Sequence, residues 1–136
     1  MDFYITGYIM KRILVVDDQK NVRISLSIGL GREGYVVDVA SNAKGALLKL
    51  KESHYDYVLT DVKMPDINGF ILANIIKELY PNIQIILMSA YDFSDYESKY
   101  KTLGNCPKLS KPFEMVELLR LLHNGNSVIH TTTFPC

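Results

Sequence analysis

One stretch decides the fold: Val58-Leu59-Thr60-Asp61-Val62-Lys63-Met64-Pro65-Asp66-Ile67-Asn68-Gly69. It begins as an apolar strand, reaches Asp61, and breaks at once into a loop marked by Pro65 and Gly69. When an acid stands just past the end of a buried strand, the sheet holds its backbone rigidly while its carboxylate is exposed to water. That is where an α/β sheet places ligand chemistry. A solvated aspartate before an ordinary turn would look the same, so the rest of the chain must decide.

The composition is that of an ordinary soluble domain. The 136 residues are enough for one domain with a sizeable core, and they are 48% hydrophobic and 22% charged. A formal net charge of +0 gives no support for a nucleic-acid-binding face or a membrane-surface patch. Residues 1–10 have no basic residue ahead of their apolar run, so they make a poor signal peptide. We therefore expect a cytoplasmic protein with residues 1–10 as an N-terminal extension, and Met10 is an alternative native start.

Five apolar runs alternate with five helical segments along the chain. The runs are residues 13–16, 35–40, 55–60, 83–88 and 106–110, and short continuous apolar runs are typical of strands buried on both faces. The helices are predicted over 21–32, from a cap at Ser41 or Asn42 to about 52, from 70 to the break at Pro81, over 91–103, and over 114–123. Residues 124–136 are predicted to be a loose tail.

One helix is ambiguous, because residues 21–32 also alternate like a strand at Val22, Ile24 and Leu26. Helix is favoured, since a parallel sheet needs a crossover between its first two strands, and Gly34 is a plausible stop for it. The whole pattern predicts an α/β protein: a five-stranded parallel sheet in the order 2-1-3-4-5, doubly wound with five helices. A single domain is expected over residues 11–123.

Polar residues follow four of the predicted strands. Asp17 and Asp18 follow the first, Asp61 the third, Ser89 the fourth and Lys111 the fifth. Strands one and three are neighbours in the expected order, so the three acids would share one cleft. Each close pair of like charges costs about 1–4 kcal/mol, so either one of the acids is protonated or a cation lies among them. An all-oxygen site on loops, with room for water ligands, suits Mg²⁺.

Each of these residues also has a simpler interpretation by itself. Asp17 and Asp18 are acceptable as a helix N-cap pair, Ser89 as a turn residue, and Lys111 as a solvated loop lysine. Their joint placement at one edge of a sheet is what favours a functional site.

These residues are similar in order and spacing to the motifs of the response-regulator receiver domain of two-component signalling. The matching stretches are Ile13-Leu14-Val15-Val16-Asp17-Asp18, residues 61–69, Met88-Ser89-Ala90 and Lys111-Pro112-Phe113. The resemblance covers roughly residues 11–123. It implies that Asp61 accepts a phosphoryl group from the phosphohistidine of a histidine kinase. It also implies that Asp17, Asp18, Asp61 and the backbone carbonyl of Lys63 hold Mg²⁺. Ser89 and Lys111 would contact the phosphoryl group, and the Lys111–Pro112 peptide would be cis.

The chain departs from the family pattern at one position, and the resemblance has consequences for its partners. Lys108 stands where the family usually has an aromatic residue that turns inward, so the usual aromatic switch is not expected. No output domain follows residue 123, so the signal is expected to pass to a downstream effector protein. The other expected partner is a sensor histidine kinase or histidine phosphotransfer protein, and the chain is expected to be a monomer or weak homodimer that binds neither nucleic acid nor membrane.

Two other functions stay open from the residues alone. A Mg²⁺-dependent phosphohydrolase would also use an aspartyl phosphate, but such enzymes usually have an acid two positions after the nucleophile, where this chain has Lys63. A flavodoxin-like FMN binder would need a hydroxyl- and glycine-rich loop after the first strand, where this chain has Asp17 and Asp18. We therefore expect a signalling module that phosphorylates itself from a phosphodonor and dephosphorylates itself, and no other enzyme activity.

Overall fold

A computed structural model of the chain describes residues 3–5, 8–90 and 106–126, with side chains over 10–90 and 106–123. Within these ranges it contains seven strands and four helices. In chain order they are β1 (Phe3–Ile5), β2 (Tyr8–Met10), β3 (Arg12–Val16), α1 (Lys20–Arg32), β4 (Val36–Ala40), α2 (Ala43–Glu52), β5 (Tyr57–Asp61), α3 (Gly69–Leu79), β6 (Gln84–Ser89), β7 (Lys108–Ser110) and α4 (Met115–Asn126).

The main sheet is parallel and has the predicted order. Its five strands lie in the order β4-β3-β5-β6-β7, which is 2-1-3-4-5 when the strands of this sheet are numbered along the chain, so the predicted fold class is confirmed. The predicted helix over 91–103 lies outside the described residues. The last helix continues to Asn126, three residues into the segment that was predicted to be a tail.

Two apolar layers cover the sheet, one on each face. Alternate residues of β3 and β5 point to opposite layers: Leu14 and Val58 pack with α2 and α3, while Ile13 and Leu59 pack with α1 and α4. Burial on both faces explains why these strands are continuous apolar runs rather than alternating ones. Because both faces of the sheet are covered by apolar residues, polar side chains lie at the strand ends, including the carboxyl end of the sheet.

Helix α1 resolves the ambiguity in the sequence. Leu26 and Leu30 are buried one turn apart against the sheet, with Val22 partly buried one turn earlier. Gly34 follows the helix with φ +95°, a left-handed conformation in which a glycine is the least strained residue. This segment therefore forms a helix, as a crossover between two parallel strands requires, although its apolar residues also alternate as in a strand.

The N-terminal extension contains a hairpin that was not predicted. Strands β1 and β2 pair antiparallel, with Phe3 opposite Met10 and Ile5 opposite Tyr8, and form a separate two-stranded sheet. Two short apolar runs separated by Thr6-Gly7 were the available signal. Among the described residues, no helix has the length and apolar character needed to span a membrane.

The loop between β5 and α3 depends on a glycine. The backbone N–H of Gly69 donates to the Val62 carbonyl at 2.7 Å and closes the loop. A Cβ at position 69 would collide with the Asp61 backbone carbonyl and would lie 2.9 Å from the Val62 Cα. Only glycine lets the first turn of α3 approach the end of β5 this closely.

We expect Gly69→Ala to lower the free energy of unfolding by about 1–3 kcal/mol, because the added methyl group must displace backbone rather than a flexible side chain. Urea denaturation measures the loss. Gly31→Ala is the matched control, since nothing lies within 4 Å of a Cβ there and alanine is favoured over glycine in a helix by up to about 1 kcal/mol. Equal stability of the two variants would contradict the proposed close approach.

Candidate functional site

Two neighbouring strands bring the acids together. Asp61 is the last residue of β5, and Asp17 directly follows β3, one position beyond the paired residues Val16 and Thr60. Asp18 comes next in the chain. One carboxylate oxygen from each of these acids lies within 4.8 Å of the others. The predicted cluster of Asp17, Asp18 and Asp61 is therefore present at the carboxyl edge of the sheet.

Lys111 reaches this cluster from the far strand of the sheet. Its Nζ lies 2.6 Å from Asp17 Oδ2 and 3.5 Å from Asp61 Oδ2. The Lys111 backbone N–H donates to the Ser89 carbonyl at 2.7 Å, and the Lys111–Pro112 peptide is cis, as the resemblance implied. The ammonium group thus partly balances the charge of two carboxylates.

Asp17 and Asp18 are not equivalent. Asp17 is fully buried (0% exposed) and its Oδ1 accepts the backbone N–H of Gln19 at 2.9 Å, while its Oδ2 accepts from Lys111. The Arg23 Nη1 donates to the Asp17 backbone carbonyl at 2.9 Å and holds the first turn of α1 against this corner. Asp18 is exposed and lines the open pocket, so it is the more accessible of the two.

The electrostatic surroundings raise the pKa of Asp61. Burial is the largest cause; the Lys111 charge opposes it, the Asp17 charge adds to it, and the backbone N–H of Lys63 opposes it again. Burial and the Asp17 charge together outweigh the Lys111 charge and the hydrogen bonds, so they disfavour the charged form of the Asp61 carboxyl. A further cation would oppose this effect.

The ligand atoms at this site suit a small cation that prefers oxygen ligands. The open pocket has a volume of about 370 Å³ and is lined by Asp18, Asp61, Lys63, Lys111 and neighbouring loop residues. Carboxylate oxygens on the rim of a water-accessible pocket leave positions for water ligands, which Mg²⁺ usually retains. Among the side chains that the structure describes, these three acids could hold a metal ion.

Ser89 and Lys108 complete the predicted positions. Ser89 ends β6 and is buried, one residue beyond the pair formed by Asp61 and Met88. Lys108 is partly buried in β7, and its Nζ turns back to donate to the Cys106 carbonyl at 3.1 Å. The chain therefore has a cation, anchored to its own strand, where an aromatic ring was expected from the family pattern.

Two residues near the site were missed in the sequence. Arg23 was read only as part of a helix, and its contact with the Asp17 carbonyl depends on how α1 crosses β3. Asp66 was read as part of the loop motif, yet its carboxylate contacts the start of α2. The Asp66 contacts have no local sequence signal because they join segments 22 and 23 positions apart, and the Arg23 contact, although only six positions long, depends on how the loop after β3 turns into α1.

A doubly wound parallel sheet with acids from two neighbouring strands and a lysine from a third defines a class of flavodoxin-like α/β proteins with an acidic cluster that could hold a metal ion. A family model described as "Response regulator receiver domain" matches residues 13–123. The chain belongs to this family, and the prediction made from its motifs is confirmed.

Individual relatives agree with this assignment. The chain is 35% identical over 108 residues to sporulation initiation phosphotransferase F of Bacillus subtilis (strain 168), covering 79% of this chain and 87% of that protein. It is 34% identical over 113 residues to the DNA-binding transcriptional regulator NtrC of Proteus hauseri, covering 83% of this chain but only 24% of that protein. The chain thus spans about a quarter of the length of that regulator.

A solved structure gives the same result. Response regulator protein TrrA of Thermotoga maritima, in complex with Mg(2+)-BeF, is similar with a TM-score of 0.75 and 38% identity, covering 84% of this chain and 97% of that one. TrrA also matches in a complex with the histidine kinase ThkA, with a TM-score of 0.76 and 37% identity, covering 87% of this chain and 100% of that one.

Proposed function

We propose that residues 11–123 form a receiver domain that accepts a phosphoryl group on Asp61 from a histidine kinase or histidine phosphotransfer protein. One observation carries the proposal: the Lys111 ammonium lies between Asp17 and Asp61, at 2.6 and 3.5 Å, beside a pocket open to water. A partly buried lysine that pairs with two of three clustered acids leaves room for a second cation and for an incoming anion.

Mg²⁺ is the cofactor that this donor set favours, held by Asp17, Asp18, Asp61 and the backbone carbonyl of Lys63. When bound, it would supply positive charge that screens an incoming phosphoryl group from the carboxylates. The resemblance supports all four ligands. The difference in burial between the two adjacent acids suggests that Asp18 is the direct ligand, with Asp17, already bonded by Gln19 and Lys111, acting through water.

The protein's own residues then have separate roles. An Asp61 carboxylate oxygen attacks the phosphorus, the O–P bond forms, and the P–N bond to the donor imidazole breaks, with the imidazole taking up a proton. Lys111 moves its ion pair from Asp61 to a phosphoryl oxygen, so its positive charge stabilises the carboxylate before transfer and the phosphoryl group afterwards. The Ser89 hydroxyl donates to another phosphoryl oxygen. Removal of the phosphoryl group by water returns Asp61 to its starting state.

Signalling requires that phosphorylation shift a conformational equilibrium. Moving a 1:99 population to 99:1 needs about 5.5 kcal/mol of differential stabilisation. Ser89 and Lys111 follow β6 and β7, so their contacts with the phosphoryl group bias the packing at this side of the sheet. With Lys108 anchored along its own strand, the transition would not use an inward-turning aromatic ring.

The partners follow from this mechanism. We infer that a cytoplasmic sensor kinase or phosphotransfer protein is the donor and that an effector protein reads the phosphorylated state, with the chain a monomer or weak homodimer. The structure of TrrA with the kinase ThkA supports a direct receiver–kinase contact. The family match favours this function over a phosphohydrolase or an FMN binder.

The test is incubation of the protein with acetyl phosphate and Mg²⁺, followed by intact-mass spectrometry. The expected result is a gain of one phosphoryl group per chain, and a chelator should abolish the gain. Continuous release of phosphate at high turnover, without accumulation of the phosphoprotein, would favour the phosphohydrolase instead.

A further inference from the structure

The N-terminus of α2 is held by a residue from another loop. The first N–H groups of a helix have no partner within the helix, and here they are satisfied from two sides. Ala43 N and Lys44 N donate to the two carboxylate oxygens of Asp66, at 3.2 and 3.0 Å, while Gly45 N donates to Asn42 Oδ1 at 2.7 Å. Asn42 is thus the local cap, as predicted, and Asp66 is a second cap that comes from the loop between β5 and α3.

This loop is the one that carries the proposed metal ligand. At one end, Asp61 is fixed by β5, and at the other end the bond from Gly69 N to the Val62 carbonyl closes the loop. Lys63 lies in between, three residues before Asp66. The contact with α2 therefore supports the middle of the loop, which is the part that must present the Lys63 carbonyl.

The other side of the contact is also tied to the site. Helix α2 follows β4, and the last residue of β4, Ala40, accepts the backbone N–H of Asp17 at 3.1 Å. The corner between β4 and α2 thus contacts Asp17 on one side and Asp66 on the other. This gives a second connection, besides the pairing of β3 with β5, between the acids and the Lys63 loop.

We propose that Asp66 is a positioning residue of the metal site: its carboxylate, bound by the N–H groups of Ala43 and Lys44, holds the loop so that the Lys63 carbonyl faces Asp18 and Asp61. This inference rests on the proposed magnesium site and names a residue that acts on it through the backbone. A carboxylate is well suited to this role, because it accepts two charge-assisted hydrogen bonds and lies at the positive end of the α2 dipole.

The protonation state of Asp66 agrees with this role. Burial is the largest single influence and opposes ionisation, but hydrogen bonds from the backbone N–H groups of Lys44, Ile67 and Ala43 together outweigh it and lower the pKa of Asp66. The Asp66 carboxylate is therefore charged at neutral pH.

The test compares Asp66→Ala with Asn42→Ala, because each removes caps from the same helix end but only the first releases the loop. Titration calorimetry with Mg²⁺ alone should give a dissociation constant about tenfold weaker for Asp66→Ala, as is usual when the support of a metal ligand is lost. Asn42→Ala should lose helix stability while its dissociation constant for Mg²⁺ stays within about twofold of wild type. Asp66→Asn, which keeps one acceptor oxygen, should recover part of the affinity.

A second readout does not need the metal. Hydrogen exchange in chelator should be faster at the amides of Ala43, Lys44, Met64 and Ile67 in Asp66→Ala, whereas in Asn42→Ala the faster exchange should be confined to α2. Equal Mg²⁺ affinity in wild type and Asp66→Ala would overturn the inference and leave the proposed function standing. Identical losses in Asp66→Ala and Asp66→Asn would mean that charge alone acts, and would also overturn it. A wild type that does not bind Mg²⁺ would overturn the proposed function, and the inference with it.

Discussion

Asp61→Asn is expected to abolish phosphoryl uptake completely. The substitution keeps the shape of the side chain but removes the carboxylate that would attack the phosphorus, because an amide does not attack phosphorus as a carboxylate does. Intact-mass spectrometry after incubation with acetyl phosphate and Mg²⁺ measures the result. Wild type should gain one phosphoryl group and the variant should gain none.

This loss should occur without loss of stability. Because burial and the Asp17 charge raise the pKa of Asp61, the fold favours its neutral form. The stability that this provides is complete below the unfolded-state pKa and is lost as the pH rises through the folded-state pKa. A neutral asparagine removes this pH dependence, so the unfolding free energy at neutral pH should be equal to that of wild type or higher.

A matched control is available at the opposite end of the sheet. Asp56 accepts the backbone N–H of Arg12 at 2.8 Å, far from the carboxyl ends of the strands, and Asp56→Asn should gain a phosphoryl group as wild type does. Uptake by Asp61→Asn, or loss of uptake in both variants, would contradict the assignment of Asp61.

Lys111→Met is expected to give the largest loss of stability at the site, and Mg²⁺ should reverse much of it. The lysine side chain is 15% exposed and its Nζ lies 2.6 Å from Asp17, which is fully buried. Removing one partner of a buried ion pair costs about 3–5 kcal/mol, because the remaining charge stays buried without a partner. Urea denaturation in chelator should show this loss.

The effect of Mg²⁺ on the stability of Lys111→Met distinguishes loss of the ion pair from simple loss of packing. With Lys111 gone, the three acids have no internal cation, so Mg²⁺ should bind more tightly and should stabilise the variant more than it stabilises wild type. Lys51→Met, an exposed substitution on α2, should cost less than about 1 kcal/mol and should not change the response to Mg²⁺. If Mg²⁺ stabilised Lys111→Met no more than wild type, the proposed competition between lysine and metal would be wrong.

The two variants, Asp61→Asn and Lys111→Met, should also differ in phosphoryl uptake. Asp61→Asn removes the phosphoryl acceptor and leaves the ion pair between Lys111 and Asp17. Lys111→Met keeps the acceptor but leaves a bound phosphoryl group without its counter-charge, so slower uptake is expected rather than none.

Much of the fold was predictable because its signals are local. The runs that became β3 and β5 are apolar throughout, since each strand is buried on both faces, and this pattern identifies a parallel sheet. Capping chemistry predicted Gly34 as the end of one helix and Ser41 or Asn42 as the start of the next, and the structure has Gly34 after α1 and Asn42 as the cap of α2. The hairpin of β1 and β2 was not predicted within the N-terminal extension, because strands of only three residues are too short to show a clear periodicity.

The sequence by itself determined the class of the fold and the set of residues at the site, because both depend on periodicity and on where a strand ends. The strand order was then taken from the usual arrangement of such doubly wound sheets. Only the tertiary structure decided how those residues differ from one another. It buried Asp17 against Lys111 and left Asp18 open to water, and it brought Asp66 onto the first turn of α2. These contacts join residues more than twenty positions apart, and their strength depends on burial and distance, which a linear pattern does not contain.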